Sequence, residues 1–62
     1  MSACKKQLKR AVAQLEKTTD ALEGQIYSEY DGTPLLKGML RSDIEPARKT
    51  IKEIREFLET AE

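Results

Sequence analysis

The sequence predicts an all-α fold, an antiparallel two-helix hairpin with coiled-coil-like packing, and three observations lead to it. Apolar residues recur every three or four positions in both halves, which is the spacing of one helix face. Only three Gly and two Pro occur among 62 residues. Charged residues make up 35% of the chain, as is typical of a helical protein rich in surface. Because so short a chain is near the lower limit for an unaided core, we expect oligomerisation to complete a helical bundle.

The first half predicts one long helix over about residues 3–30. Ser2 can cap its start, and Gly32 can take the left-handed conformation after its end. Gly24 lies inside this helix, either because another backbone approaches it closely or as a tolerated weakness. The apolar positions step alternately by four and three residues, which forms a heptad seam with one Thr: Leu8, Val12, Leu15, Thr19, Leu22 and Ile26.

The second half predicts a turn at residues 31–33 and a second helix over about residues 34–61, so that residues 1–62 form a single helical hairpin domain. Thr33 followed by Pro34 has the pattern of an N-cap and a first helical residue. Phe57 widens the apolar stripe of this helix. The seam itself again steps by four and three residues: Leu40, Ile44, Ala47, Ile51, Ile54, Leu58 and Ala61.

Pro46 leaves two interpretations of the second helix. With Asp43 as N-cap, or with Ser42 and Glu45 as a capping box, a separate helix begins just before the proline. Alternatively one long helix is kinked or broken near residues 42–46, which frees the Ser42 carbonyl. The apolar phase continues across Pro46, and we therefore favour the long, distorted helix.

The charge pattern predicts that the two helices are antiparallel. The last turns of the second helix carry acidic residues, which are unfavourable at a helix C-terminus. An antiparallel return would place these carboxylates beside the basic start of the first helix. The acidic set is Glu53, Glu56, Glu59 and Glu62, and the basic set is Lys5, Lys6, Lys9 and Arg10.

Composition argues against several classes of partner. Eleven basic residues balance eleven acidic ones, without the excess of Lys and Arg on which binding to nucleic acid or an anionic membrane depends. The KKQLKR cluster at residues 5–10 could touch phosphates, but we favour a solvated patch that sets helix orientation.

No window of the sequence has the apolar length of a membrane span, and the start lacks the apolar run of a signal peptide. Cys4 is the only cysteine, so we expect an intracellular location, cytoplasmic or nuclear.

No constellation for catalysis is present in the sequence, and we do not expect an enzyme. The chain has no His, and Cys4 has no base to activate it. Neither the cysteine nor the glycine spacing suits a metal or phosphate site. Paired glutamates such as Glu56 and Glu59 lie outside the seam and are expected to be solvated. We therefore expect no catalytic, cofactor-binding or metal-binding residues.

The apolar surplus at the turn end predicts a protein-binding site. Four apolar side chains spread there over more than half of the helix circumference, and two tyrosines add amphipathic rings. Such a cluster either closes the end of the hairpin or marks an interface, and we favour the interface. The predicted partner-binding residues are Tyr27, Tyr30, Leu35, Leu36, Met39 and Leu40.

The expected function is a non-catalytic protein–protein interaction or scaffold module, acting by self-association as a dimer or higher oligomer, or as a subunit of a larger complex. Two alternatives stay open. A small co-chaperone of a secretion or assembly system would pair with a second protein that is unstable alone. An RNA-binding hairpin dimer would bind in a salt-sensitive way through its basic cluster.

Residues 22–42 also carry a family resemblance. A Leu-Glu-x-Gln-Ile-Tyr element at residues 22–27 is followed by an acidic turn and by Gly38, Met39, Leu40 and Arg41. This order resembles the small coiled-coil accessory subunit of MYST-family histone acetyltransferase complexes. The spacer is shorter here, and residues 43–62 have no counterpart. The resemblance implies a non-catalytic scaffold role in the nucleus.

Overall fold

The chain folds into two antiparallel helical arms joined by a short turn. A computed structural model describes residues 2–60, with the side chains from residue 4 onward, so the predicted Ala61 and Glu62 lie outside the described residues. The first arm is α1 (Ser2–Tyr30). The second arm consists of α2 (Leu35–Met39), a π-helical segment (Leu40–Ile44) and α3 (Glu45–Thr60), which follow one another without a break. All three pack against α1, which confirms the all-α antiparallel hairpin.

The turn is held by hydrogen bonds to the last carbonyls of α1. The Asp31 N–H donates to the Tyr27 carbonyl and the Thr33 N–H to the Tyr30 carbonyl. The Thr33 hydroxyl also donates to the Tyr30 carbonyl, at 2.7 Å. Gly32 has φ = 77°, the left-handed conformation that glycine adopts without strain.

The predicted capping of the second arm by Thr33 is therefore wrong. Its side chain bonds the end of α1 because the Tyr30 carbonyl has no intrahelical partner and lies within reach. No side-chain hydrogen bond caps α2, whose preceding residue is Pro34, and the helix begins at Leu35.

The second arm passes Pro46 as one long helix with a local change of hydrogen-bond register. The Glu45 N–H donates to the Leu40 carbonyl, five residues earlier, in place of the usual four. In a regular helix the Pro46 ring would clash with the Ser42 carbonyl, and a wider turn just before the proline is one way to relieve that clash. The predicted distortion of a long helix is confirmed, and it begins two residues before the expected range, at Leu40.

The core is a single row of residues along the line where the arms meet. Each arm contributes positions that are seven residues apart, and every buried apolar side chain keeps 6% or less of its surface exposed. Thr19 is also buried, and its hydroxyl donates to the Leu15 carbonyl at 2.7 Å. The buried apolar residues are Val12 and Ile26 of α1 and Ile44, Ile51 and Leu58 of the second arm.

The other half of the predicted α1 seam is not buried. Leu8, Leu15 and Leu22 keep 46%, 50% and 39% of their surface exposed, and Phe57 of α3 keeps 62%. Within the single chain, the α1 seam therefore packs the hairpin at alternate positions only. The physical reason is that one partner helix covers one side of a heptad stripe, whereas a bundle covers both.

Candidate protein-interaction face

One long face of the hairpin carries ion pairs between the arms, and we call it the ion-paired face. Arg48 of α3 donates from Nη2 to Asp20 Oδ1 at 2.9 Å and to Glu23 Oε1 at 2.6 Å. Arg55 donates from Nη2 to Glu16 Oε1 at 3.0 Å. The hydrogen bonds that Arg48 donates, first to Asp20 and then to Glu23, raise the pKa of Arg48 above its ordinary value. These side chains are a third or more exposed, so the pairs fix the register of the arms more than their stability.

The sequence analysis predicted a different set of inter-helix charge pairs, which stays a prediction. It paired cations at the start of α1 with glutamates at the end of α3, and Lys5, Lys9 and Glu59 do line one groove there together with Arg55. The pairs described above run in the opposite sense, with carboxylates on α1 and arginines on α3. Their spacing was available as a signal, since the two paired glutamates are seven residues apart and so are the two arginines.

The opposite long face has no charged side chain, and we call it the uncharged face. On α1 its residues step alternately by three and four positions, so they share one side of the helix. All six are exposed, and the leucines alternate with small or polar residues. They are Leu8, Ala11, Leu15, Thr18, Leu22 and Gln25.

The second arm continues this face with the same stepping. Ala47 and Ile54 are half-buried, whereas Thr50 and Phe57 are exposed. A groove of about 250 Å³ joins the arms here, with Leu15, Ala47 and Thr50 on its walls and the buried Thr19 and Ile51 beside them. Ile54 packs against the core cluster below. The uncharged face is thus a shallow apolar groove between rows of half-exposed side chains.

The chemistry of this face suits packing rather than reaction. None of its ten positions is charged, although 35% of the chain is. Protein interfaces are depleted of charge at their centre in the same way. The face carries neither an acid–base pair nor a nucleophile, and residues 2–60 contain no group of three or more side chains that could hold a metal.

The predicted partner-binding residues lie together at the closed end, because α1, α2 and the π-helical segment pack against one another there. The structure does not expose them equally. Tyr27 keeps 46% and Leu35 keeps 61% of its surface exposed. The remaining four are half-buried, as closure of the hairpin end would require: Tyr30, Leu36, Met39 and Leu40. Their role in binding stays a prediction.

The uncharged face is the surface that the sequence reasoning did not single out. Its leucines were assigned to the seam, and the sequence pattern alone does not reveal which side of a seam the partner helix covers. The available signal was a second row of uncharged positions, which runs beside the leucines of the seam through Ala11 and Thr18. A helix with two adjacent uncharged stripes is typical of a bundle with more than one neighbour.

Comparisons of the chain with protein-family models, with curated proteins and with solved structures give no match. Within residues 2–60, no helix has both the length and the apolar content needed to cross a membrane. In the segment that carries the resemblance described above, Ile26 is buried, Leu22 and Tyr27 are partly exposed, and the Gln25 side chain donates to Glu29.

Proposed function

We propose that the chain is a non-catalytic protein–protein interaction module, which assembles by packing the uncharged face against other helices. The observation that carries this proposal is the uncharged face itself, where Leu8, Leu15 and Leu22 keep between 39% and 50% of their surface exposed. Covering half-exposed leucines releases about 25 cal/mol for each Å² of apolar surface removed from water. A helical partner would supply that cover without the burial of a single charge.

The ion-paired face supports the same proposal by contrast. Its arginines already have carboxylate partners within the chain, at 2.6 to 3.0 Å. Covering this face would require these pairs to lose water, and that loss offsets much of any gain. The uncharged face carries no such cost. A partner is therefore expected on one side of the hairpin.

Site-specific photo-crosslinking in the expressing cell tests the proposal. A photoreactive amino acid replaces Thr18 on the uncharged face in one variant and Ala13, which is exposed on the ion-paired side of α1, in the matched control. We expect protein adducts from position 18 and few from position 13. Adducts at neither position, or equal adducts at both, would show that this face is not a protein-binding surface.

The adduct must then be rebuilt from purified components. The attached protein, whether another copy of the chain or a different protein, is purified and titrated against the full chain. The substitutions Ala11→Glu and Ala13→Glu place the same charge on the two sides of α1, at exposed alanines. We expect the first to weaken binding at least about tenfold, since a buried unpaired charge is costly, and the second to leave it unchanged.

A further inference from the structure

We infer that the occupant of the uncharged face is the same face of a second copy of the chain, so that two hairpins form a symmetric four-helix bundle. This inference rests on the proposed function and names its partner. Three observations on the isolated hairpin lead to it: its surface area, its shape, and the distribution of its charges.

The isolated hairpin has more surface than a folded chain of its size. Its accessible surface is 5068 Å² for 7.0 kDa. Folded monomers of that mass expose about 4,000 Å². The excess of about 1,000 Å² is close to the roughly 800 Å² that each partner buries in a standard protein interface. One further copy would therefore bring the area per chain into the ordinary range.

The elongated shape of the hairpin also indicates that a packing layer is missing. Its dimensions are 47 × 15 × 11 Å and its radius of gyration is 14.4 Å. A compact domain of this length has a radius of gyration of about 11 Å. Stable domains bury their apolar faces between two packed layers, and a single pair of helices provides only one. A second hairpin on the uncharged face supplies the missing layer.

The distribution of charge favours a second copy over an unrelated protein. A twofold axis brings each surface against itself, so a charge near the axis meets its own copy in the other chain. The uncharged face avoids this repulsion, because all of its positions are neutral. It is also self-complementary in shape, since leucines at intervals of seven residues alternate with the small side chains of Ala11 and Thr18. The leucines of one copy can enter the spaces beside the small residues of the other.

Sedimentation equilibrium of the purified full chain tests this inference. We expect a mass of about 14 kDa, twice the 7.0 kDa of one chain. The Ala11→Glu variant should sediment as a monomer or show a dimer dissociation constant raised at least about tenfold, because its carboxylate would be buried at the twofold interface. The Ala13→Glu variant should remain a dimer. Circular dichroism on the same samples records the helix content.

A second variant keeps the test independent of helix propensity at one position. Thr18→Glu places a charge two turns further along the same face than Ala11→Glu, where the side chain is exposed in the isolated hairpin. It should weaken the dimer as Ala11→Glu does. A wild-type mass of one chain at all concentrations would overturn the inference, and so would a dimer that tolerates both charges.

The outcomes separate this inference from the proposed function. In one outcome the chain is monomeric, position 18 still crosslinks to a different protein, and Ala11→Glu abolishes binding of that purified protein. The second copy is then the wrong partner, and the proposed interaction function stands. If the chain is monomeric and no adduct forms, both proposals fall. A dimer sensitive to Ala11→Glu but not to Ala13→Glu supports both.

Discussion

The two long faces of the hairpin differ in how far the chain itself completes them. On the ion-paired face, Arg48 and Arg55 cross from α3 to carboxylates of α1, so charges of both signs are matched inside one molecule. On the uncharged face, Leu8, Leu15 and Leu22 project beside the seam, and α3 covers only part of each. Both faces border the same row of core residues. The faces differ in the side chains that flank this row: they are paired within the chain on the ion-paired face, and they are left half-exposed on the uncharged face.

If a partner covers the uncharged face as proposed, this difference separates the source of register from a source of stability. Charged pairs across the seam specify which residues of the two arms stand level, although exposed pairs contribute only about 0 to 1 kcal/mol each. Apolar surface supplies most of the free energy of folding, and on the uncharged face much of it stays exposed in the single chain. In the proposed dimer, register and added stability would therefore come from opposite sides of the hairpin.

The largest effect on stability is expected from a substitution in the core, at a residue that borders both faces. Ile51 is 6% exposed and borders the grooves on both faces. Ile51→Ala should lower the free energy of unfolding by about 2 to 5 kcal/mol, because it removes buried methyl groups and leaves a cavity. Urea unfolding followed by circular dichroism measures the change. Leu35→Ala, at a position that is 61% exposed, is the control and should cost far less; equal costs would contradict the assigned core.

The second-largest effect concerns the uncharged face alone and is measured by the melting temperature. If a second copy binds there, the melting temperature of the wild-type chain should rise with its concentration, since mass action adds about 2.7 kcal/mol at a hundredfold excess over the dissociation constant. Leu15→Ala should flatten this dependence by removing a half-exposed side chain from the centre of the face. Arg55→Gln, on the ion-paired face, should leave the dependence unchanged. A wild-type melting temperature that is independent of concentration would count against a dimer.

Much of the fold could be predicted from the sequence because it rests on local periodicity. The two seams, the turn at Gly32 and the distortion before Pro46 each follow from spacing or backbone chemistry within a few residues. The role of Thr33 could not be predicted in this way. Its hydroxyl could either accept from an N–H at the start of the second arm or donate to a carbonyl at the end of α1, and in the structure it donates to the Tyr30 carbonyl.

The candidate site was harder to predict because it depends on the relative rotation of the two arms. The apolar cluster around Leu36 and Leu40 was visible in the sequence, and the structure half-buries both residues. Which side of the α1 seam faces α3 depends on a rotation of some tens of degrees, and the heptad pattern leaves that rotation undetermined. The ion pairs of Arg48 and Arg55 would have indicated it, since they mark the side that the charged residues occupy.

A smaller effect tests whether assembly depends on the faces or merely on helix stability. Space is open around Gly24 in α1, where an added Cβ would meet nothing within 4 Å. No other part of the described chain therefore approaches this glycine, and Gly24→Ala should stabilise the protein by up to about 1 kcal/mol through helix propensity. Gly32→Ala should destabilise it by a similar amount, because φ = 77° is strained for alanine. Thermal unfolding measures both, and neither substitution should weaken the dimer at concentrations where the chain is folded.

The smallest effect is expected on the ion-paired face and is defined by its salt dependence. Arg48→Gln leaves Asp20 and Glu23 without their shared cation, so the melting temperature should fall slightly at low salt. The deficit should vanish towards 1 M salt, where the screening length shrinks from about 30 Å at 0.01 M to about 3 Å. Lys49→Gln, which removes a neighbouring exposed cation, is the control for net charge. A deficit that persists at high salt would mean that Arg48 acts through the packing of its aliphatic stem, and the ion-paired face would then contribute contact area as the uncharged face does.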